Sequence, residues 1–264
     1  MDLDLGEKRA VITGGSRGIG KSIAVVLASE GAEVAICGRN KDSLEQAAAD
    51  ILKETGKSIL AVVADTTNTA SVESFIGAAA DHLGGIDILV NNAAAPGGLV
   101  MGPLSTANPD ELLADIDTKV VGYMRVAKAA APHLKEGGWG RIINIGGLAA
   151  RSGGAISGMR NVALTHFTKT LSNELGPQGI NVNIIHPGAT RTERTGPLNQ
   201  ALAKERNVSV KDVENAASAG IDIRRIIESE EVAFLAAFLA SPKSSAITGE
   251  AIAAGGGVGS AVFQ

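Results

Sequence analysis

One stretch near the N-terminus, Val11-Ile-Thr-Gly-Gly-Ser-Arg-Gly-Ile-Gly20, limits what the chain can fold into. An apolar run from Arg9 to Ile12 enters a glycine-rich turn, and a helical pattern from Lys21 to Ser29 leaves it. Strand, turn and helix in that order are the context a dinucleotide-binding loop requires. The glycines stand at 14, 18 and 20, a G-x-x-x-G-x-G spacing rather than G-x-G-x-x-G. Gly14 permits a tight turn, Gly18 the close approach of a pyrophosphate, and Gly20 close packing of helix on sheet. The free N–H groups of the helix start then face the phosphates. Taken alone, such a turn also suits an ordinary strand-to-helix connection.

The rest of the chain repeats the same alternation. Strands are expected at 9–13, 33–37, 58–64, 86–91, 140–145, 180–185 and 250–254. Helices are expected at 21–30, 41–55, 71–83, 111–133, 158–175 and 229–239, with two helical runs at 197–206 and 210–219 inside a polar insert. Strands separated by helices imply a parallel sheet covered on both faces, an α/β doubly wound fold. Connections are short and no internal repeat appears, so residues 1–264 read as one domain with an insert at about 190–223. Hydrophobic residues make up 45% of the 264, enough for a sizeable core, while aromatics are only 3%, so small side chains must carry close helix–sheet packing.

Net charge is −4 and no long basic run occurs, which argues against nucleic acid as a partner. The one cysteine, Cys37, gives neither a disulfide framework nor a metal cluster, and its apolar strand makes it a buried thiol. No apolar run approaches the ~20 residues of a membrane helix, and the acidic N-terminus lacks a signal-peptide pattern. The expectation is a cytoplasmic protein with no metal.

The string Thr13-Gly-Gly-Ser-Arg-Gly-Ile-Gly20 resembles the cofactor loop of the short-chain dehydrogenase/reductase family. The resemblance implies cofactor contacts from Gly14, Ser16, Arg17, Gly18, Ile19 and Gly20. Where the fold places an acidic residue to grip the adenosine ribose, this chain has Gly38 followed by Arg39. Arg39 and Arg17 suit a 2′-phosphate, so NADP(H) is favoured over NAD(H). Asp65, followed by Thr66, matches the family's adenine-binding aspartate, and Asn91-Asn92-Ala93-Ala94 resembles its Asn-Asn-Ala-Gly. Pro187-Gly188, with Thr190 and Thr192, resembles the Pro-Gly-x-x-x-Thr that reaches the nicotinamide carboxamide, and Thr248-Gly249 the closing Thr-Gly. The acidic residue expected near Gly255 is Ala254 instead. The resemblance extends from about residue 6 to 257.

The family's hydride chemistry uses a tyrosine, a lysine four residues on, a serine and an asparagine, because hydride transfer to a carbonyl creates an alkoxide that needs an acid and an oxyanion donor. By alignment of Ala163–Leu175, the tyrosine position is Ser157 and the lysine position Asn161. The serine position falls in Ile145-Gly146-Gly147, and the asparagine position is Lys119. The chain's one tyrosine, Tyr123, lies a turn beyond Lys119, so a Lys-x-x-x-Tyr pair on one helix face is a candidate replacement for the missing acid. Alternatively Lys119 fills space or pairs with Asp115 or Asp117, and Tyr123 packs between helices. Ser157 is a weak donor, and Asn161 is able to keep the ribose contact without charge. Arg160 reads as an exposed charge that cannot supply a proton. His166 reads as a packed or interface residue, and His186 as a further candidate acid by its ordinary pKa.

Arg191, Arg194, Lys204, Arg206, Arg224 and Arg225 make the insert, the family's mobile substrate lid, basic. An anionic substrate or a solvated pair of helices both fit that composition. Three functions stay open. The first is an NADP(H)-dependent oxidoreductase acting on a carbonyl or alcohol with a non-standard proton donor. The second is a catalytically silent subunit supporting an active partner of the same family. The third is a non-redox lyase or isomerase. The small-residue faces of 111–133 and 158–175 suggest a homo-oligomer, dimer or tetramer, or a hetero-oligomer with an active subunit.

Overall fold

The computed structural model describes residues 1–95 and 104–259. Seven strands form one parallel sheet: β1 (Arg9–Thr13), β2 (Glu33–Gly38), β3 (Leu60–Val63), β4 (Ile88–Asn91), β5 (Gly140–Ile145), β6 (Ile180–Pro187) and, near the C-terminus, Ala251–Ala254. Two further pairs of residues, β7 (Thr190–Arg191) and β8 (Ile227–Glu228), form a small parallel ladder at the base of the insert, so the C-terminal strand is β9. The sheet order is β3-β2-β1-β4-β5-β6-β9. Strand order reverses between β1 and β4, and the crevice at the carboxyl ends of those strands is where such sheets take ligands.

The helices are α1 (Gly18–Ser29), α2 (Lys41–Thr55), α3 (Thr69–Leu83), α4 (Pro109–Ile116), α5 (Gly122–Glu136), α6 (Met159–Leu175), α7 (Thr195–Arg206), α8 (Val210–Ser218) and α9 (Ser229–Ala240). Local chemistry sets their ends. Asn40 and Asn68 cap α2 and α3 through their side chains, and Gly56 and Gly84 end both in left-handed backbone. Strand residues alternate between two cores. Ile12, Ile36, Val90 and Ile143 pack under α1, α2 and α9, while Val11, Ala35, Leu89 and Ile142 pack under α3, α5 and α6. The period of two along each strand produces both cores from one set of apolar runs.

The expected single helix over 111–133 is corrected. The segment is α4, a π-helical turn at Asp117–Val121, then α5. Wide turns of this kind recur at functional sites because they rotate one residue out of the helical register. Here the turn carries Lys119. No helix among the described residues is long and apolar enough to cross a membrane.

Candidate active site

Two cavities open at the carboxyl ends of the strands and share the lining residues Ile19, Asn92, Ala94 and Thr192. The first, about 470 Å³, lies over the β1–α1 turn and is lined by Gly14, Ser16, Arg17, Gly18, Arg39, Asp65, Thr66 and Ala93 among others. Asn92 ties it together. Its Nδ2 donates to the carbonyls of Thr13 (3.1 Å) and Gly14 (3.0 Å), and its N–H donates to Thr13 Oγ1 (3.0 Å). A Cβ on Gly14 would stand 2.9 Å from Ala93 Cα, and one on Gly20 would stand 2.3 Å from Gly14 O. Gly20 therefore serves packing and does not line either cavity, whereas Gly14 lines the first.

This cradle fits a dinucleotide. Helix α1 has no side-chain cap of its own, so its first N–H groups are available to an anion. In this structure one is taken by the chain itself: Gly18 N–H donates to Glu193 Oε2 at 3.1 Å. Gly38 leaves an uncharged gap beside Ser16 Oγ, which would lie 3.3 Å from a Cβ there. Burial pushes the Asp65 carboxyl up. The Thr67 N–H and hydroxyl, then Arg39 and Arg125, more than offset this and hold it below its usual range. Cys37 also lines this cavity, and burial raises its thiol to about 12, so it is inert. Sequence reasoning had not put Cys37 or Glu193 in the site; only the fold brings them there.

The second cavity, about 730 Å³, is lined by Pro187, Gly188 and Thr190, by the Gly146-Gly147 turn, and by Lys119, Arg160 and Asn161. Lys119 is 5% exposed and its Nζ donates to Gly146 O at 2.9 Å. Burial lowers its pKa to about 8. Tyr123 is fully buried, its hydroxyl donating to Ile145 O at 2.9 Å, and burial raises its pKa well above the ordinary value. Lys119 and Tyr123 thus reach successive carbonyls at the end of β5, but only Lys119 lines the cavity. Ser157 is buried and lines neither cavity.

Three expectations change. Lys119 does not pair with Asp115 or Asp117: Asp115 pairs with Arg160, and Asp117 Oδ1 lies 2.8 Å from Arg125 Nη2. Arg160 is not an exposed charge; both it and Asp115 are buried. His186 is not free to act as an acid. Gly147 N–H donates to its Nδ1 (3.0 Å), so the neutral ring carries its proton on Nε2, 3.0 Å from Thr165 Oγ1. Burial, then Arg151 and Lys119, lower its pKa to about 4, against the Gly147 hydrogen bond that raises it. His166 is exposed on α6.

Gly146 and Gly147 have a physical reason to be glycine. A Cβ on Gly146 would stand 2.3 Å from His186 Nδ1, and one on Gly147 3.1 Å from Asn161 Nδ2. The insert covers the cavity's open side with Ala217, Gly220 and Ile221, and Ile221 bridges to Val258. Two of the six basic side chains named for it are in ion pairs: Arg191 meets Glu214 and Glu228, and Arg225 meets Glu231.

Comparison with known proteins gives concordant matches. Residues 14–259 match the family profile described as Enoyl-(Acyl carrier protein) reductase. The chain is 34% identical over 257 residues to the NADPH-dependent reductase BacG of Bacillus subtilis, covering 96% of this chain and 98% of that one. It is 35% identical over 262 residues to the 3-oxoacyl-[acyl-carrier-protein] reductase FabG of Vibrio cholerae, covering 97% and 99%. The crystal structure of L-sorbose reductase from Gluconobacter frateurii, complexed with NADPH and L-sorbose, superposes with a TM-score of 0.93 at 29% identity, covering 99% of this chain and all of the other.

Proposed function

The chain belongs to the short-chain dehydrogenase/reductase family, and from that premise we propose that it is an NADP(H)-dependent oxidoreductase. It moves hydride between the cofactor and a carbonyl or alcohol, with Lys119 as the proton donor. The relatives named for NADPH support the cofactor. So does the first cavity, where Arg17 and Arg39 stand beside an uncharged Gly38. A carboxylate at that strand end would repel a 2′-phosphate, whereas guanidinium groups pair with it.

The bound cofactor supplies the hydride. This chain supplies binding, orientation and the proton. Gly14 to Ile19 and Asn92 to Ala94 hold the dinucleotide at the β1–β4 crevice. Asp65 and Thr66 face its adenine end. Pro187, Gly188, Thr190 and Thr192 flank the nicotinamide end, and Asn161 takes the ribose contact as a neutral amide. Lys119 holds its proton at Nζ and passes it to the substrate oxygen as the carbonyl is reduced. The observation that carries this reading is a buried ammonium with a pKa near 8 in the cavity continuous with the cofactor cradle. A general acid works best with a pKa near the working pH. Tyr123 acts as a positioning residue, fixing the end of β5 through Ile145 O.

We further take residues 1–264 as one cytoplasmic domain, with 190–223 as the lid. We expect a homo-oligomer joined through α4–α5 and α6, where Leu113, Met124, Met159 and Val162 are exposed. The test is an equilibrium titration with NADPH and NADH followed by a carbonyl screen with and without Lys119→Ala. The proposal expects NADPH preference and turnover that depends on Lys119. Tight NADPH binding with no turnover across the screen favours the silent-subunit reading.

A further inference from the structure

The polar lining of the second cavity is one-sided. Its charged lining residues, among those described, are Lys119 and Arg160; no aspartate or glutamate joins them. Both cations are 5% exposed, so bulk water screens them poorly. Arg160 has a single counter-ion, Asp115, which is 3% exposed and not part of the cavity wall. Two cations against one carboxylate leave a net positive wall whenever Lys119 is protonated.

Hydrogen bonding is incomplete at the same place. Among the described residues, three buried side-chain atoms here lie outside the Arg160 Nη1–Asp115 Oδ1 ion pair and lack a hydrogen-bond partner: Asp115 Oδ2, Arg160 Nε and Asn161 Oδ1. Asp115 Oδ1 takes Arg160 Nη1, which leaves Nε as the donor among the three. A buried polar group left unsatisfied is costly, and a charged one more so, so the open Arg160 donor is where an anionic oxygen has most to recover. The remaining wall is mostly small and apolar, with Leu148, Ala155, Ala189, Ala217, Ile221 and Val258, beside the uncharged Asn92, Ser152, Thr190 and Thr192.

Resting on the oxidoreductase reading above, we propose that the substrate is a carboxylate-bearing carbonyl compound. Its carboxylate is held by the Arg160 guanidinium, its apolar body lies against the lid, and its carbonyl faces Lys119. A planar two-oxygen anion matches the guanidinium fork, and its single charge balances the one positive unit that Asp115 leaves on Lys119 and Arg160. The positive wall comes from α6 and the π-helical turn, not from the lid, whose arginines 191 and 225 are already paired.

The experiment is a calorimetric titration of the NADPH complex with 2-oxohexanoate, 4-oxopentanoate and 4-oxocyclohexanecarboxylate, each beside its methyl ester and with acetonyl phosphonate as the dianion control. It is repeated on the double variant Arg160→Gln with Asp115→Asn, which avoids leaving either charge buried alone. At least one acid is expected to bind about tenfold more tightly than its ester, roughly 1.4 kcal/mol, and the double variant is expected to erase that preference while still binding NADPH. Equal binding of acid and ester, binding of none of the acids, tighter binding of the phosphonate, or a preference that survives in the double variant overturns the proposal. Turnover read alongside separates the two readings. Efficient reduction of the neutral esters sinks the carboxylate handle and leaves the oxidoreductase standing. Selective binding of acids that are never reduced does the reverse.

Discussion

The two cavities meet along four residues and are built in opposite ways. The first is made mainly of glycines, backbone amides and side chains at the ends of β1, β2, β3 and β4, Arg17 and Arg39 among them, with Thr192, Glu193 and Arg194 from beyond β7. Most contributions come from short contiguous strings, tied to one another by hydrogen bonds to backbone carbonyls such as those of Asn92 to Thr13 and Gly14. The second is made of residues that depend on each other across four segments. Gly146 is small because His186 sits against it, Gly147 because Asn161 does, and Lys119 is held by the Gly146 carbonyl. A binding cradle built on backbone tolerates change around it. A proton-transfer site changes as a unit or not at all.

The largest effect that would break this contrast comes from Lys119. Lys119→Ala is expected to lower kcat by about 10²–10⁴-fold, the span of general acid catalysis, while the NADPH dissociation constant stays within about twofold. Comparable losses in both would mean that the two cavities do not divide the work.

Next is the coupling inside the second cavity. Gly146→Ser places a side chain where His186 Nδ1 stands and should cost about 1–3 kcal/mol in denaturant unfolding, as overpacking does. His186 gives the same region a pH signature. Its folded pKa, about 4, lies below the ordinary 6.5, so the unfolded chain binds more protons between those values. Stability therefore falls as pH drops from about 6.5 toward 4, by on the order of 3 kcal/mol. Unfolding midpoints across that range should be flatter in His186→Gln. An equal slope in both proteins would remove His186 as the cause.

Smaller effects sharpen the account of the first cavity. Arg39→Ala should weaken NADPH binding about tenfold and leave NADH nearly unchanged, as loss of an exposed guanidinium–phosphate pair predicts. Equal loss for both cofactors would reduce Arg39 to a loop charge. Glu193 occupies the N–H of Gly18 that a diphosphate would claim, so Glu193→Gln should tighten NADPH binding by about two- to threefold, the scale of a helix-terminus charge effect. Weaker binding in that variant would show that the carboxylate supports the cradle rather than competing for it.

The sheet and its helices were legible because period-two and helical patterns, with Gly56 and Gly84 at helix ends, are local signals. β1, β5 and α2 match their expected bounds. Most of the first cavity was legible for the same reason: Gly14, Asp65 and Asn92 are read from the strings that hold them. The second was legible only in part. The sequence placed Lys119 and Asn161 near the site, but not the π-helical turn that positions Lys119. The burial of Arg160 depends on Asp115, forty-five positions earlier in the chain, and was hidden for that reason. His186 looked available because its two partners, Gly147 N–H and Thr165 Oγ1, come from β5's end and α6.

The pH dependence of kcat/KM for NADPH-dependent carbonyl reduction tests the central claim most directly. If Lys119 donates the proton, the rate falls as pH rises through about 8, where the buried ammonium is lost, and the limb disappears in Lys119→Ala along with most of the rate. A profile flat through pH 8, or a limb that persists with full turnover in that variant, would contradict the claim that proton donation has moved to this lysine.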